Sequence, residues 1–297
     1  VTDLAEDYRA LRGTAGAVEL PRDFVGAAGP DVVGFLQGQL SQDVAALPVG
    51  GSTWAFLLQP QGKVVAFLRV LRLGDEEFVL ETDVGFGPAV TERLNRFKLR
   101  VKCDLGALDW NCLALRGPQA KGMAVGGSGH RVVADWPGIA GVDLVGESPR
   151  SPAGVPMCST EAYEAVRIEA GIPVMGREID ERTIPAEVGV VERAVSFTKG
   201  CYTGQELVAR IDSRGGNVPR RLRGLVVLGD ASPPAGAVLQ VDGKDVGELT
   251  SVATSPGLGA TVALALVRRA VEPPAEVLLA WNGQSVAARV EVLPLVR

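Results

Sequence analysis

Helical and strand signals mix along this 297-residue chain without a strict βαβ alternation, and that mixture predicts an α+β fold. Three observations carry the prediction. An antiparallel meander is written into residues 54–82, helix signals flank it on both sides, and a strand-rich stretch punctuated by proline and glycine follows Arg223.

In chain order, Asp3 with Glu6 has capping-box spacing, so a short helix is expected over 4–12, ending before Gly13. Gly29, Pro30 and Asp31 put proline at a first helical turn, and Val32, Phe35, Leu36, Gln39 and Leu40 recur at helical spacing. Trp54–Leu58 and Val64–Leu73 are strands split by the turn Pro60, Gln61, Gly62, and Gly74 and Asp75 lead into Phe78–Thr82. Pro88 opens an amphipathic helix to about Phe97, after which 101–104 and 109–115 return to strand character. A short helix after Gly117 and strands near 130–135 and 140–145 precede a connector at 148–156. Residues 160–170 form a helix stopped by Gly171 and Pro173, and 171–198 reads as mostly irregular, a length that favours function over idle connection. The β-rich end is a separate module, with the domain boundary near 218: residues 1–217 in two subdomains of about 1–105 and 106–217, then 218–297.

A hydrophobic content of 46% and a charged content of 22% describe a globular protein rather than a disordered one. The net charge of −5 provides no general attraction for phosphate backbones, so direct nucleic-acid binding is not expected. Apolar runs such as Val262–Val267 are far too short to span a bilayer, and Asp3, Glu6 and Asp7 do not fit a signal peptide; the expected location is cytoplasmic. Four cysteines without a CxxC pair and a single histidine, His130, are a poor zinc donor set, and no stably bound metal is expected. Cys103, Cys112 and Cys158 read as buried packing residues.

The chemistry concentrates in Lys199, Gly200, Cys201, Tyr202, Thr203, Gly204, Gln205 and Glu206. Thr203 and Glu206 have capping-box spacing and Leu207, Val208 and Ile211 follow at helical spacing, so a helix is expected from Thr203 with Cys201 just ahead of it. There the helix dipole and Lys199 favour a thiolate. Cys201 reads either as a reactive thiol or as a small side chain fitted under a glycine turn. Glu169 lies in the last turn of the helix 160–170, where the dipole disfavours a carboxylate. It reads either as a ligand for amide- or guanidine-like donors or as the partner of Arg167, Arg177 or Lys199. Arg210, Arg214, Arg220, Arg221 and Arg223 read as an anion site or as a solvated hinge.

Together these residues resemble a known family, the folate-binding YgfZ proteins, relatives of the glycine cleavage T-protein. The strongest element is Lys-Gly-Cys-Tyr-x-Gly-Gln-Glu at 199–206, continued through Leu207, Val208, Ala209 and Arg210. Arg167–Pro173 resembles the segment that carries the pterin-binding glutamate in T-proteins, and Pro185 with Glu187 matches a second shared segment. The runs from Gly29 to Asp43 and from Gly247 to Ser251 complete the match. The resemblance implies ferredoxin-like halves followed by a C-terminal β-barrel, and tetrahydrofolate or a one-carbon derivative as ligand. It implies Glu169, Lys199, Gly200, Tyr202, Gly204, Gln205, Glu206 and Arg210 as binding residues and Cys201 as the reactive group. It further implies iron–sulfur client enzymes, including tRNA-modifying ones, or assembly proteins as partners. The T-protein's catalytic aspartate has no counterpart, because the stretch that should hold it reads Gln61, Gly62, Lys63, Val64, Val65, Ala66, Phe67. Two alternatives stand beside this reading: a one-carbon transferase or demethylase using Glu206 or Asp83, and a non-catalytic adaptor.

Overall fold

A computed structural model describes residues 3–123 and 126–296, which divide into two compact units. One unit takes residues up to Leu20, Asn111–Pro173 and Pro219 onward; the other takes Pro21–Trp110 and Val174–Val218.

The second unit is built on a five-stranded antiparallel sheet. Its strands are β2 (Arg22–Ala28), β3 (Ser52–Leu58), β4 (Val64–Gly74), β5 (Glu77–Asp83) and β6 (Asp104–Leu108), in the order β3-β4-β5-β2-β6. The meander is where the sequence put it. Strand β2 was not anticipated and occupies the sheet interior between β5 and β6, while 101–104 is irregular up to Asp104, where β6 begins. One sheet face buries Val25, Ala27, Ala55, Leu57, Ala66, Leu68, Val70, Phe78 and Leu80 against α2 (Val32–Gln39) and α3 (Gly87–Phe97). Alternation then aims the intervening residues at the opposite face, where Trp54 stacks on Phe67 at 4.8 Å and the Arg69–Glu81 ion pair is buried. The unit is completed by the 3₁₀ turn η2 (Pro185–Glu187), α5 (Val191–Ala194) and α6 (Gln205–Ser213). Residues 171–198 therefore carry two short helical turns inside an otherwise irregular path.

The first unit holds α1 (Leu4–Gly13), whose N-cap Asp3 accepts the Ala5 N–H at 3.0 Å. Its four-stranded antiparallel sheet has the order β1-β7-β9-β8, from β1 (Gly16–Leu20), β7 (Asn111–Arg116), β8 (Gly126–Val133) and β9 (Gly141–Arg150). The expected connector at 148–156 thus begins inside β9, and β1 was missed because its five residues run almost directly into β2. The 3₁₀ turn η1 (Ala120–Gly122) follows Gly117. Helix α4 (Thr160–Ala170) ends at Gly171, as the sequence indicated, with that glycine in the left-handed conformation; Ser159 is its N-cap. Six strands close the barrel in the order β10-β13-β12-β11-β14-β15: β10 (Arg220–Val227), β11 (Val238–Val241), β12 (Lys244–Ser255), β13 (Ala260–Arg268), β14 (Ala275–Trp281) and β15 (Gln284–Glu291). Its interior is filled by Leu225, Val227, Leu239, Ala263, Ala265, Val267, Leu279, Ala288 and Val290. No described helix is long and apolar enough to cross a membrane.

Candidate functional site

The octapeptide belongs to the unit with the five-stranded sheet, where it runs across the C-terminal end of α2 and the β3–β4 turn. Lys199 Nζ donates to the carbonyls of Gln37, Leu40 and Gln42 at 2.6, 2.8 and 3.0 Å. All three ammonium hydrogens are thereby committed to backbone, and burial pushes the group down to about 8 while Asp43 opposes the shift. Thr203 N–H donates to the Gly38 carbonyl at 3.1 Å. Its hydroxyl meets Gln39 Oε1 at 3.4 Å, an oxygen that also accepts from Arg93 Nη1 at 3.1 Å.

Helix α6 starts at Gln205, not at Thr203 as expected. Its N-cap is Gly204, with φ of 85° and no side-chain cap bond, so the Thr203–Glu206 capping box does not form. The reason is a close approach: a Cβ on Gly204 would stand 2.5 Å from the Gln59 carbonyl oxygen, and the positive φ admits glycine most readily. Tyr202 N–H is held by Gln205 Oε1 at 3.2 Å. Cys201 is consequently four residues before the first helical residue, outside the turn over which a dipole acts strongly.

Cys201 is exposed, while Cys103, Cys112 and Cys158 are all buried. Tyr202 is buried beneath the Lys199 ammonium, with Nζ 5.2 Å from the ring centroid, and burial pushes its phenol up to about 12. Gly200 has open space where a Cβ would stand, and Glu206 and Arg210 are exposed on α6. Of the implied binding residues, Lys199, Tyr202, Gly204 and Gln205 therefore act on the loop itself, and Cys201, Glu206 and Arg210 face outward. Among the described residues no group of three or more His, Cys, Asp or Glu is placed to hold a metal ion.

Glu169 belongs to the other unit, and its side chain is fully buried. Tyr8 Oη donates to both carboxylate oxygens at 3.0 and 2.9 Å, Ser255 Oγ donates to Oε1, and Arg12 donates to Oε2 through Nε at 3.1 Å and through Nη2. None of the expected partners Arg167, Arg177 or Lys199 takes this place. Arg167 instead bonds Glu164, the Ile172 carbonyl and Ser251 Oγ. The sequence signal that was missed is the pair Tyr8 and Arg12, one turn apart on α1 and so on one helix face. With four donor hydrogens arriving from protein, the Tyr8 hydroxyl's shared between both oxygens, the Glu169 carboxylate cannot take a bidentate ligand without displacing Arg12, Tyr8 or Ser255.

The alternative acid–base candidates are also accounted for. Asp83 accepts from Arg22 Nη1 and from Met175 N–H at 2.8 Å, and Glu206 lies exposed in the first turn of α6. At the start of β4, Val64 and Ala66 are buried, so the implied position of the T-protein aspartate is apolar here. Glu187, from the second shared segment, is buried in η2, accepts the Ile184 N–H at 3.1 Å, and lies in the same unit as Cys201 with η2 against α6.

Comparison with known proteins follows this architecture. Residues 3–125 match the GCVT N-terminal domain and residues 220–296 match the glycine cleavage T-protein C-terminal barrel domain. An aminomethyltransferase of Streptomyces avermitilis is 27% identical over 91% of this chain and 82% of its own length. An uncharacterized protein of Haemophilus influenzae is 28% identical over 64% of this chain and 65% of its own. The crystal structure of glycine cleavage system aminomethyltransferase T from Bartonella henselae superposes with a TM-score of 0.83 at 24% identity, covering 99% of this chain and 89% of that one. The chain therefore carries both domains of the glycine cleavage T-protein, in their order along the sequence, on the T-protein fold.

Proposed function

We propose that this protein binds tetrahydrofolate or a one-carbon derivative of it, and that Cys201 is its reactive thiol in the assembly or repair of iron–sulfur clusters in client enzymes, tRNA-modifying ones among them. The observation that carries the reading is the presentation of Cys201: one exposed thiol on a loop anchored at Lys199 and Thr203, against three buried ones. A single thiol does not make a resident cluster site, since such clusters take four protein ligands as a rule, so the cluster is cargo handled with a partner.

The folate part rests on the two T-protein domains. Glu169 fits the pterin poorly because its acceptor sites are filled by Tyr8, Arg12 and Ser255. Glu187, from the second segment shared with T-proteins, is the candidate in the unit that carries Cys201, a buried carboxylate that also accepts the Ile184 N–H. A carboxylate there would accept the amino and ring N–H donors of a pterin in parallel.

Calorimetry with tetrahydrofolate on the wild type, Glu187→Gln, Glu169→Gln and Cys201→Ser tests the reading. Binding lost in Glu187→Gln and kept in Cys201→Ser is the expected result, and absence of binding by the wild type overturns it. In cells, Cys201→Ser should lower the activity of iron–sulfur enzymes without lowering the amount of folded protein.

Aminomethyl transfer is the second reading, favoured by the named activity of the Streptomyces relative. It needs a proton-handling group near the folate nitrogen, and Val64, Val65 and Ala66 provide none. Turnover of methylenetetrahydrofolate by the purified protein would establish it. An adaptor role, the third possibility, requires Cys201→Ser to be fully functional.

A further inference from the structure

We infer that Lys199 is the positioning residue of Cys201: its ammonium stands as a tripod on three carbonyls at the C-terminal end of α2 and fixes one foot of the segment whose apex is Cys201. The inference deepens the reading of Cys201 as a reactive thiol and rests on it for its biological meaning.

The geometry leaves the ammonium no spare hydrogen. An NH₃⁺ group has three donors, and Gln37, Leu40 and Gln42 accept all three within 3.0 Å. The Gln37 and Leu40 carbonyls are among those a helix end leaves without an intrahelical partner, and a cation there is favoured by the dipole as well. The other foot is Thr203, through its N–H on Gly38 and its hydroxyl on Gln39. Both feet thus stand on one stretch of chain, residues 37–42. Between them Tyr202 turns inward beneath the ammonium and Cys201 turns outward. A lysine serving as counter-cation to the thiolate would keep donors free for it; this one spends them on backbone.

The charged and titratable groups around the ammonium are Asp43, on the loop after α2, and the Tyr202 phenol from the octapeptide. Asp43 is itself tied to Gln37 Nε2 at 2.9 Å and to the Ala46 N–H at 3.2 Å. Burial lowers Lys199 to about 8 and the Asp43 charge counteracts it, so the proton that completes the tripod is lost in mildly alkaline solution. A neutral amine has only two hydrogens, and one carbonyl is then released. Arginine at this position keeps the charge but not the tripod, because its planar fork does not converge on three carbonyls from a single atom.

The test is a nitroxide spin label on Cys201, which also removes the thiol from the titration, read by electron paramagnetic resonance from pH 6.5 to 9.5. With Lys199 present, the ratio of mobile to ordered signal should rise about tenfold as pH passes 8, the size of effect expected for one charged hydrogen bond. Lys199→Met and Lys199→Arg should be mobile at every pH, and the Lys199 ¹³Cε resonance should titrate with the same midpoint as the label. A pH-independent label in the wild type, or a Lys199→Arg protein as ordered as the wild type, overturns the inference. Should Lys199→Met fail to fold by thermal melting, the wild-type profile and the ¹³Cε midpoint still decide it. None of these readouts involves folate or activity, so failure of tetrahydrofolate to bind would sink the proposed function and leave the tripod standing.

Discussion

Gly62 and Leu207 touch across the turn on which the octapeptide rests: a Cβ on Gly62 would lie 2.6 Å from the Cβ of Leu207. Gly62 also has φ of 80°, so a side chain there meets backbone strain and a steric obstacle at once. Gly204 faces the same turn, and its missing Cβ would stand 3.4 Å from the Gly62 Cα. Gly62→Ala and Gly204→Ala should each cost about 2 kcal/mol or more in urea unfolding. Gly200→Ala, with open space and no positive φ, should cost much less.

Arg12 is the cation that makes a fully buried Glu169 tolerable. Arg12→Met strands the carboxylate beside only Tyr8 and Ser255, and the loss should be about 3–5 kcal/mol. Tyr8→Phe removes one hydroxyl and should cost about 1 kcal/mol. Melting temperatures of the two variants check the order; equal losses would mean that the ion pair contributes no more than the hydroxyl.

Thiol alkylation separates the four cysteines. Native protein at pH 8 should react quickly at one site, Cys201, and Cys201→Ser should show no fast phase until the protein is unfolded. Burial raises Cys103 and raises Cys158 to about 11, which slows both further, because the thiolate is the reacting form.

Alkaline stability carries two opposed signs. Cys158 binds its proton more tightly folded, to about 11 against an ordinary value of 9.0, so its contribution is intact below pH 9 and disappears between pH 9 and 11. Lys199 is lowered folded, from 10.5 to about 8, so the unfolded chain holds the extra proton between those values and this group alone makes stability rise there. Cys158→Ala should flatten the decline above pH 9, and Lys199→Met should steepen the profile between pH 8 and 10.5. Denaturant midpoints measured at half-unit steps of pH would show both.

The sequence by itself determined the elements whose signals are local. Pro88 and Gly171 mark helix ends, the Pro60–Gly62 turn marks the meander, and proline with glycine punctuates the barrel strands, because dihedral preference and periodicity act within a few residues. It also singled out the octapeptide and the misplaced carboxylate of Glu169. Only the tertiary structure decided what those residues touch. Thr203 and Glu206 had the spacing of a capping box, yet close approach to Gln59 forced Gly204 into the cap and moved the helix start. Lys199, read locally as a charge for the thiol, spends its hydrogens on carbonyls about 160 residues earlier in the chain. Glu169 finds Tyr8 and Arg12 near the start of the sequence, 161 and 157 residues away. Hydrogen-bond partners are chosen by distance in space, and a carboxylate or an ammonium carries nothing in its own sequence neighbourhood that names a partner so far along the chain.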